Sequence, residues 1–154
     1  MPSKSILIVD DDSDSRLLLR SYFRDLPYEV TEAADGQAAL NRLLSSGPVD
    51  LILLDLIMPV MSGLEFLSRL RRHTFYRFKT TPLLIQNQSN REIQEYFDRQ
   101  MQQFNEALSR IPILIISAKN KKEDIISTRE FNVAGYIVKP FRKELVLGKI
   151  TSVI

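Results

Sequence analysis

The sequence predicts an α/β fold built on a parallel sheet, and three observations carry that reading. Short apolar runs of strand length alternate with longer segments of helical period, the pattern of successive βαβ units. "VDLILL" is apolar almost throughout, as suits a strand buried on both faces of a parallel sheet. Proline and glycine stand at the joins, with Pro27, Gly47-Pro48 and Pro140 punctuating the alternation.

The elements follow in order. "SILIV" is a first strand, and in "DDDSDS" Asp12 or Ser13 caps a helix running to about Leu26, where Pro27 stops it. "YEVTEA" is the second strand, "GQAALNRLLSS" a helix closed by Gly47-Pro48, "VDLILL" the third strand and "GLEFLSRLRRH" the third helix. A possible strand at Pro82 to Gln86 and a helix from about Asn90 to Ser109 come next. The last third reads as a strand "IPILIIS", a helix "KKEDIISTREF", a short strand "GYIV" and a helix "FRKELVLGKITSVI" after Pro140.

With 154 residues the chain has the size of one domain, enough to bury roughly two-thirds of its unfolded surface without staples. It has no cysteine, which excludes disulfides, thiolate metal sites and a Cys nucleophile. Neither a signal peptide nor a membrane-length apolar run is present, so the expectation is a cytoplasmic protein with no membrane association. The net charge of +2 is small. Basic clusters in "RLRRHTFYRFK" and "KNKK" come without a helix-turn-helix pattern or stacking aromatics, so no nucleic-acid partner is expected.

Ligands of an open parallel sheet bind at the carboxyl ends of its strands. Here those ends carry Asp10-Asp11-Asp12, Asp55, Ser117 and Lys139-Pro140. Each has an ordinary structural reading alone, such as a helix cap for Asp12 and Asp14. Together they suggest a site: converging carboxylates call for a divalent cation, and oxygen-only ligation favours Mg2+ over zinc. A carboxylate could then attack a phosphoryl group held by Lys139 and the Ser117 hydroxyl. The single His73, beside Arg71-Arg72, reads as a solvated helix end.

The stretches "ILIVDDDSDSRLLL", "LILLDLIMPVMSGLEFL", "ILIISAK" and "GYIVKPF" resemble the receiver domain of two-component response regulators. The second is the most specific, since Asp55, Met58, Pro59, Met61 and Gly63 reproduce that family's D-x-x-M-P-x-M-x-G loop. The resemblance implies a flavodoxin-like, doubly wound sheet of order 2-1-3-4-5 in a single-domain receiver spanning residues 1–154. It implies that Asp55 accepts a phosphoryl group from a sensor histidine kinase or a histidine phosphotransfer protein. Asp11 would be a direct Mg2+ ligand, Asp10 would act through water, and Asp55 and the Ile57 backbone carbonyl would complete the protein ligands. Ser117 and Lys139 would contact the phosphoryl group, Tyr136 would be the aromatic switch, and a downstream protein would read the state. Such a chain is a phosphoacceptor switch whose chemistry is confined to self-phosphorylation and slow autodephosphorylation. Two other readings stand beside it: a haloacid-dehalogenase-like phosphatase using Asp10 and Asp12, which leaves Asp55 and its loop unexplained, and a degenerate receiver that binds partners without phosphorylation.

The resemblance passes over about residues 74–110, read as an inserted strand-helix unit. "TTPLLIQNQS" repeats the look of "IPILIISAKN", so counting forward from Asp55 puts Asn87 at the hydroxyl position, whereas counting back from Lys139 gives Ser117. Ser117 offers the hydroxyl donor and is preferred. Adjacent strands lie about 4.8 Å apart, so the inserted unit must stay outside the central strand order if Ser117 is to reach Asp55. Ile93, Tyr96, Phe97, Met101, Phe104 and Leu108 form an apolar stripe in it. The stripe either covers the sheet or serves as a docking surface for a partner or for a second copy in a homodimer.

Overall fold

The computed structural model describes residues 3–72, 75, 90–120 and 122–154. Five strands, β1 (Lys4–Val9), β2 (Tyr28–Ala33), β3 (Leu51–Leu54), β4 (Ile113–Ser117) and β5 (Gly135–Val138), form one sheet of order β2-β1-β3-β4-β5. Every pairing is parallel. Six helices accompany them among the described residues: α1 (Ser13–Tyr22), α2 (Gly36–Ser46), α3 (Gly63–Arg72), α4 (Asn90–Arg110), α5 (Lys122–Arg129) and α6 (Lys143–Thr151). None is long and apolar enough to cross a membrane.

The central strands are buried on both faces because their side chains alternate between two cores. Leu7 and Val9 of β1, Ile52 and Leu54 of β3, and Ile113 and Ile115 of β4 meet Leu40 and Leu43 of α2, Phe66 and Leu70 of α3, and Leu108 of α4. Ile6, Ile8, Leu51, Leu53, Leu114 and Ile116 point the other way, onto Leu19 of α1 and Val146 and Ile150 of α6. The sheet is therefore covered on both sides by sequence-distant helices.

Several boundaries differ from the sequence reading. α1 ends at Tyr22, four residues short of Leu26, because buried Phe23 packs edge-on against Tyr28 with ring centroids 5.7 Å apart. Residues 23–26 are then closed by three-residue turns, Arg24 N to Ser21 O and Leu26 N to Phe23 O. β3 starts at Leu51 because the Asp50 carboxylate accepts from the Ser5 N–H and hydroxyl instead of continuing the strand. The expected strand at Pro82 to Gln86 and His73 lie outside the described residues.

β3 pairs directly with β4, Leu54 opposite Ile115, so nothing separates them in the sheet. α4 packs on α3 through its C-terminal half, where Leu108 is buried and Phe104 rests against the core. Two side chains fasten it. Asn105 exchanges hydrogen bonds with the Phe75 backbone in both directions, at 2.7 and 3.0 Å. Arg71, at the end of α3, donates to the carbonyls of Ser109, Ile111 and Phe131. Burial pushes its guanidinium pKa down, and carbonyls at the negative end of the α4 dipole supply partners for the charge. Covering the core accounts for the C-terminal half of the apolar stripe, whereas Tyr96 is 46% exposed.

Candidate functional site

Four strand ends converge at one edge of the sheet. Asp10 follows β1, Asp55 follows β3, Ser117 closes β4 and Lys139 follows β5. Asp10, Asp55 and Ser117 are buried polar residues, so each must find a partner. The Ser117 hydroxyl donates to Asp55 Oδ1 at 2.9 Å. The Lys139 ammonium sits between two carboxylates, 2.8 Å from Asp55 Oδ2 and 2.7 Å from Asp10 Oδ2.

The loop leaving β3 holds Asp55 from behind. Its own N–H bonds to Val9 O, and Oδ1 also accepts from the Ile57 N–H at 3.0 Å. Met61 is buried, Met58 packs on the same core, and Gly63 allows α3 to start against the Asp55 backbone. A Cβ at Gly63 would lie 2.3 Å from the Asp55 carbonyl oxygen. The spaced Met, Met and Gly of this loop thus have a packing reason, which is to fix where Asp55 points.

Asp11 is exposed, yet its carboxylate joins those of Asp10 and Asp55 in a group whose oxygens all lie within 4.8 Å of one another. Three carboxylates face one ammonium, leaving two negative charges for a divalent cation to balance. Oxygen-only donors with an open side suit a hard cation that keeps some of its water. The residues present therefore fit Mg2+.

Burial raises the Asp10 pKa, opposed by its hydrogen bond from Lys139. Burial alone would depress the Lys139 pKa, but the bonds to Asp10 and Asp55 outweigh it and raise the pKa. Tyr136 is half-buried on β5, its hydroxyl donating to Lys119 O at 2.8 Å. Burial and then the Asp124 carboxylate push its phenol up.

Asp12 stands outside this group. Its carboxylate accepts from the Asp14 N–H as the N-cap of α1, which lowers its pKa. The phosphatase reading needs Asp12 as general acid, and a capping carboxylate is already occupied. Ile57 lies on the loop just beyond Asp55, with its side chain 52% exposed. Asn87 falls outside the described residues.

The sequence reading passed over Arg16 and Glu32. Arg16 reaches back from α1 to the carbonyls of Asp10 and Asp11, and Glu32 of β2 pairs with it at 3.2 Å. The available signal was a basic residue near a helix N-terminus, where the dipole favours acids.

Comparisons with known proteins agree with this geometry. The model of the response regulator receiver domain matches residues 6–104. The chain is 31% identical over 149 residues to the chemotaxis protein CheY of Pseudomonas aeruginosa, covering 96% of this chain and 94% of that one. It is 29% identical to chemotaxis protein CheY-3 of Vibrio cholerae, covering 96% and 89%. Among solved structures, chemotaxis protein CheY4 of Vibrio cholerae superposes with a TM-score of 0.69 at 26% identity, with 98% of each chain covered. A CheY-like receiver domain protein from Methanospirillum hungatei shares the fold, with a TM-score of 0.65 at 20% identity and coverage of 97% and 91%. The buried aspartate bracketed by lysine and serine, the three-carboxylate group, the strand order and these relatives together place the chain in the response regulator receiver family, as a CheY-like phosphoacceptor switch of two-component signalling.

Proposed function

We propose that Asp55 is the phosphoacceptor. The observation that supports this best is its pair of donors, Ser117 Oγ on one oxygen and Lys139 Nζ on the other. A carboxylate oxygen of Asp55 attacks the phosphorus of a phosphohistidine on a sensor histidine kinase or histidine phosphotransfer protein. The P–N bond breaks, its electron pair returns to the imidazole, which takes a proton, and an acyl phosphate forms on Asp55. Ser117 and Lys139 then turn from the carboxylate to the phosphoryl oxygens, where charge-assisted donors are strongest.

Asp11, Asp55 and the Ile57 carbonyl would hold Mg2+ directly and Asp10 through water. When bound, Mg2+ offsets the charge of the attacking carboxylate and of the transferring phosphoryl group. Moving the Ser117 hydroxyl shifts the end of β4. Tyr136, bonded to Lys119 O two residues further on, is placed to report that shift to a downstream protein.

Hydrolysis of the acyl phosphate is slow in this reading. The exposed Ile57 side chain cannot orient a water, and Lys119 is engaged with Asp124 at 3.4 Å. Ile57→Asn should shorten the phosphoprotein's lifetime several-fold; an unchanged decay rate rejects this explanation.

Residues 74–110 are best read as an insertion, because β3 and β4 are direct neighbours in the sheet although the segment lies between them in the chain. Ser117 is then the hydroxyl residue and Asn87 is not. A cytoplasmic site of action fits the partners named.

The test is phosphorylation by a small phosphodonor with Mg2+, followed by mapping of the labile group by mass spectrometry. Asp55→Asn should abolish labelling, and Asp10→Asn should only weaken it. Labelling that survives Asp55→Asn and vanishes in Asp10→Asn would return the phosphatase reading.

A further inference from the structure

Arg16 occupies an electrostatically awkward place. It lies in the first turns of α1, at the positive end of the helix dipole, on the side where three carboxylates would receive a cation. Its side chain is nonetheless only 18% exposed and bonded through Nη1 and Nε. Nη1 donates to Asp10 O at 2.7 Å and Asp11 O at 3.1 Å, while Nε donates to Glu32 Oε2 at 3.2 Å. Arg20 takes the other Glu32 oxygen at 2.9 Å. The two carbonyls lie beyond the last paired residues of β1 and β2, Val9 and Ala33, so the ladder between those strands does not reach them.

The bond to Asp11 O has a consequence one peptide further on. That carbonyl belongs to the same amide as the Asp12 N–H, which donates to Asp10 Oδ1 at 2.9 Å. A donor on the oxygen of an amide polarises its N–H and strengthens the next bond in the chain. Asp10 Oδ1 is thereby held to the backbone, leaving Oδ2 for Lys139. A line of hydrogen bonds runs from Glu32 through Arg16, the Asp11–Asp12 peptide, Asp10 and Lys139 to Asp55.

We propose that Arg16 is a positioning residue for the cation-binding carboxylates: anchored by Glu32, it fixes the Asp11–Asp12 peptide and through it the orientation of Asp10 and Asp11. This rests on the reading that Asp10, Asp11 and Asp55 hold the cation.

The sign of one effect separates positioning from bulk electrostatics. Removing a positive charge beside a cation site should tighten binding by Coulomb's law alone. Removing an outer residue that orients ligands should weaken it, by about tenfold or more. Mg2+ binding by calorimetry is therefore measured for Arg16→Gln, Arg16→Lys, Glu32→Gln and Asp11→Asn, with urea midpoints for each. The expectation is about tenfold weaker binding for Arg16→Gln, a comparable loss for Arg16→Lys, which keeps the charge but not the fork, and a smaller loss for Glu32→Gln.

The second readout needs no metal. In the cation-free protein the Asp12 amide proton resonance should move upfield in Arg16→Gln, as its bond to Asp10 weakens. Equal or tighter Mg2+ binding in both Arg16 variants, with Asp11→Asn impaired, overturns the proposal and leaves the cation site standing. Unimpaired binding by Asp11→Asn overturns the cation site and the proposal with it. Should Arg16→Gln fail to fold, Arg16→Lys decides: binding equal to that of the unsubstituted chain overturns the role.

Discussion

Gly63→Ala asks whether the glycine of the loop after β3 is there for the position of Asp55. A Cβ at this residue would lie 2.3 Å from the Asp55 carbonyl oxygen and 2.7 Å from the Leu56 Cα, where non-bonded carbons prefer about 3.5 Å or more. Both neighbours are backbone, so no side-chain rotation relieves the clash. Overpacking costs about 1–3 kcal/mol, and a backbone contact this short belongs at the upper end. Alanine returns up to about 1 kcal/mol through its better helix propensity. The net loss is then about 2 kcal/mol, a fall in Tm of roughly 4–8 °C for a chain of this size. Gly148→Ala is the control, since no atom lies within 4 Å of a Cβ there. It should gain about 0.5–1 kcal/mol for an exposed position within α6. Thermal melts followed by far-UV circular dichroism measure both. Phosphodonor labelling adds a functional readout, because displacing an attacking group by about 1 Å can cost about 100-fold in rate. If Gly63→Ala melts and labels like the unsubstituted chain while Gly148→Ala gains stability, the close-approach reasoning is wrong.

Two further substitutions probe the hold on α4 and the loop after Asp55. Arg71→Met keeps the aliphatic stem but strands the carbonyls of Ser109, Ile111 and Phe131, for a loss of about 2–4 kcal/mol in urea unfolding. Amides at the C-terminal end of α4 should exchange markedly faster, and an unchanged urea midpoint would show that the guanidinium does not hold that helix. Val60 is β-branched, 83% exposed and has a φ of 65°, a left-handed conformation that costs such a residue about 1–2 kcal/mol. Val60→Asn should raise the urea midpoint by the equivalent of about 1 kcal/mol, because Asn tolerates that conformation; no gain would mean that the loop stores no such strain.

The fold was legible because its signals were local. Continuous apolar runs marked the buried strands, Gly47-Pro48 marked the end of α2, and of the two cap candidates Asp12 and Ser13 the structure selects Asp12. The end of α1 was not legible, since it is set by Phe23 meeting Tyr28, a contact that periodicity does not encode. The start of β3 was missed for a similar reason: Asp50 is taken by Ser5, 45 residues earlier. Local chemistry finds strands and caps, but pairings across the chain decide where they stop.

The site shows the same division, and the choice between Asn87 and Ser117 shows why. Spacing along the chain gave both answers, because distance in sequence does not say which strands are neighbours in the sheet. Pairing is what decides reach: with Leu54 opposite Ile115, Asp55 comes level with Ile116, one residue before the end of β4, and the Ser117 hydroxyl meets Asp55 at 2.9 Å. Residue types at strand ends could therefore be read directly. Arg16 could not, because its role goes through the backbone atoms of other residues, and backbone atoms leave no trace in the identity of the residues that carry them. Positioning groups of this kind are defined by the folded chain, which brings them to the carbonyls they serve.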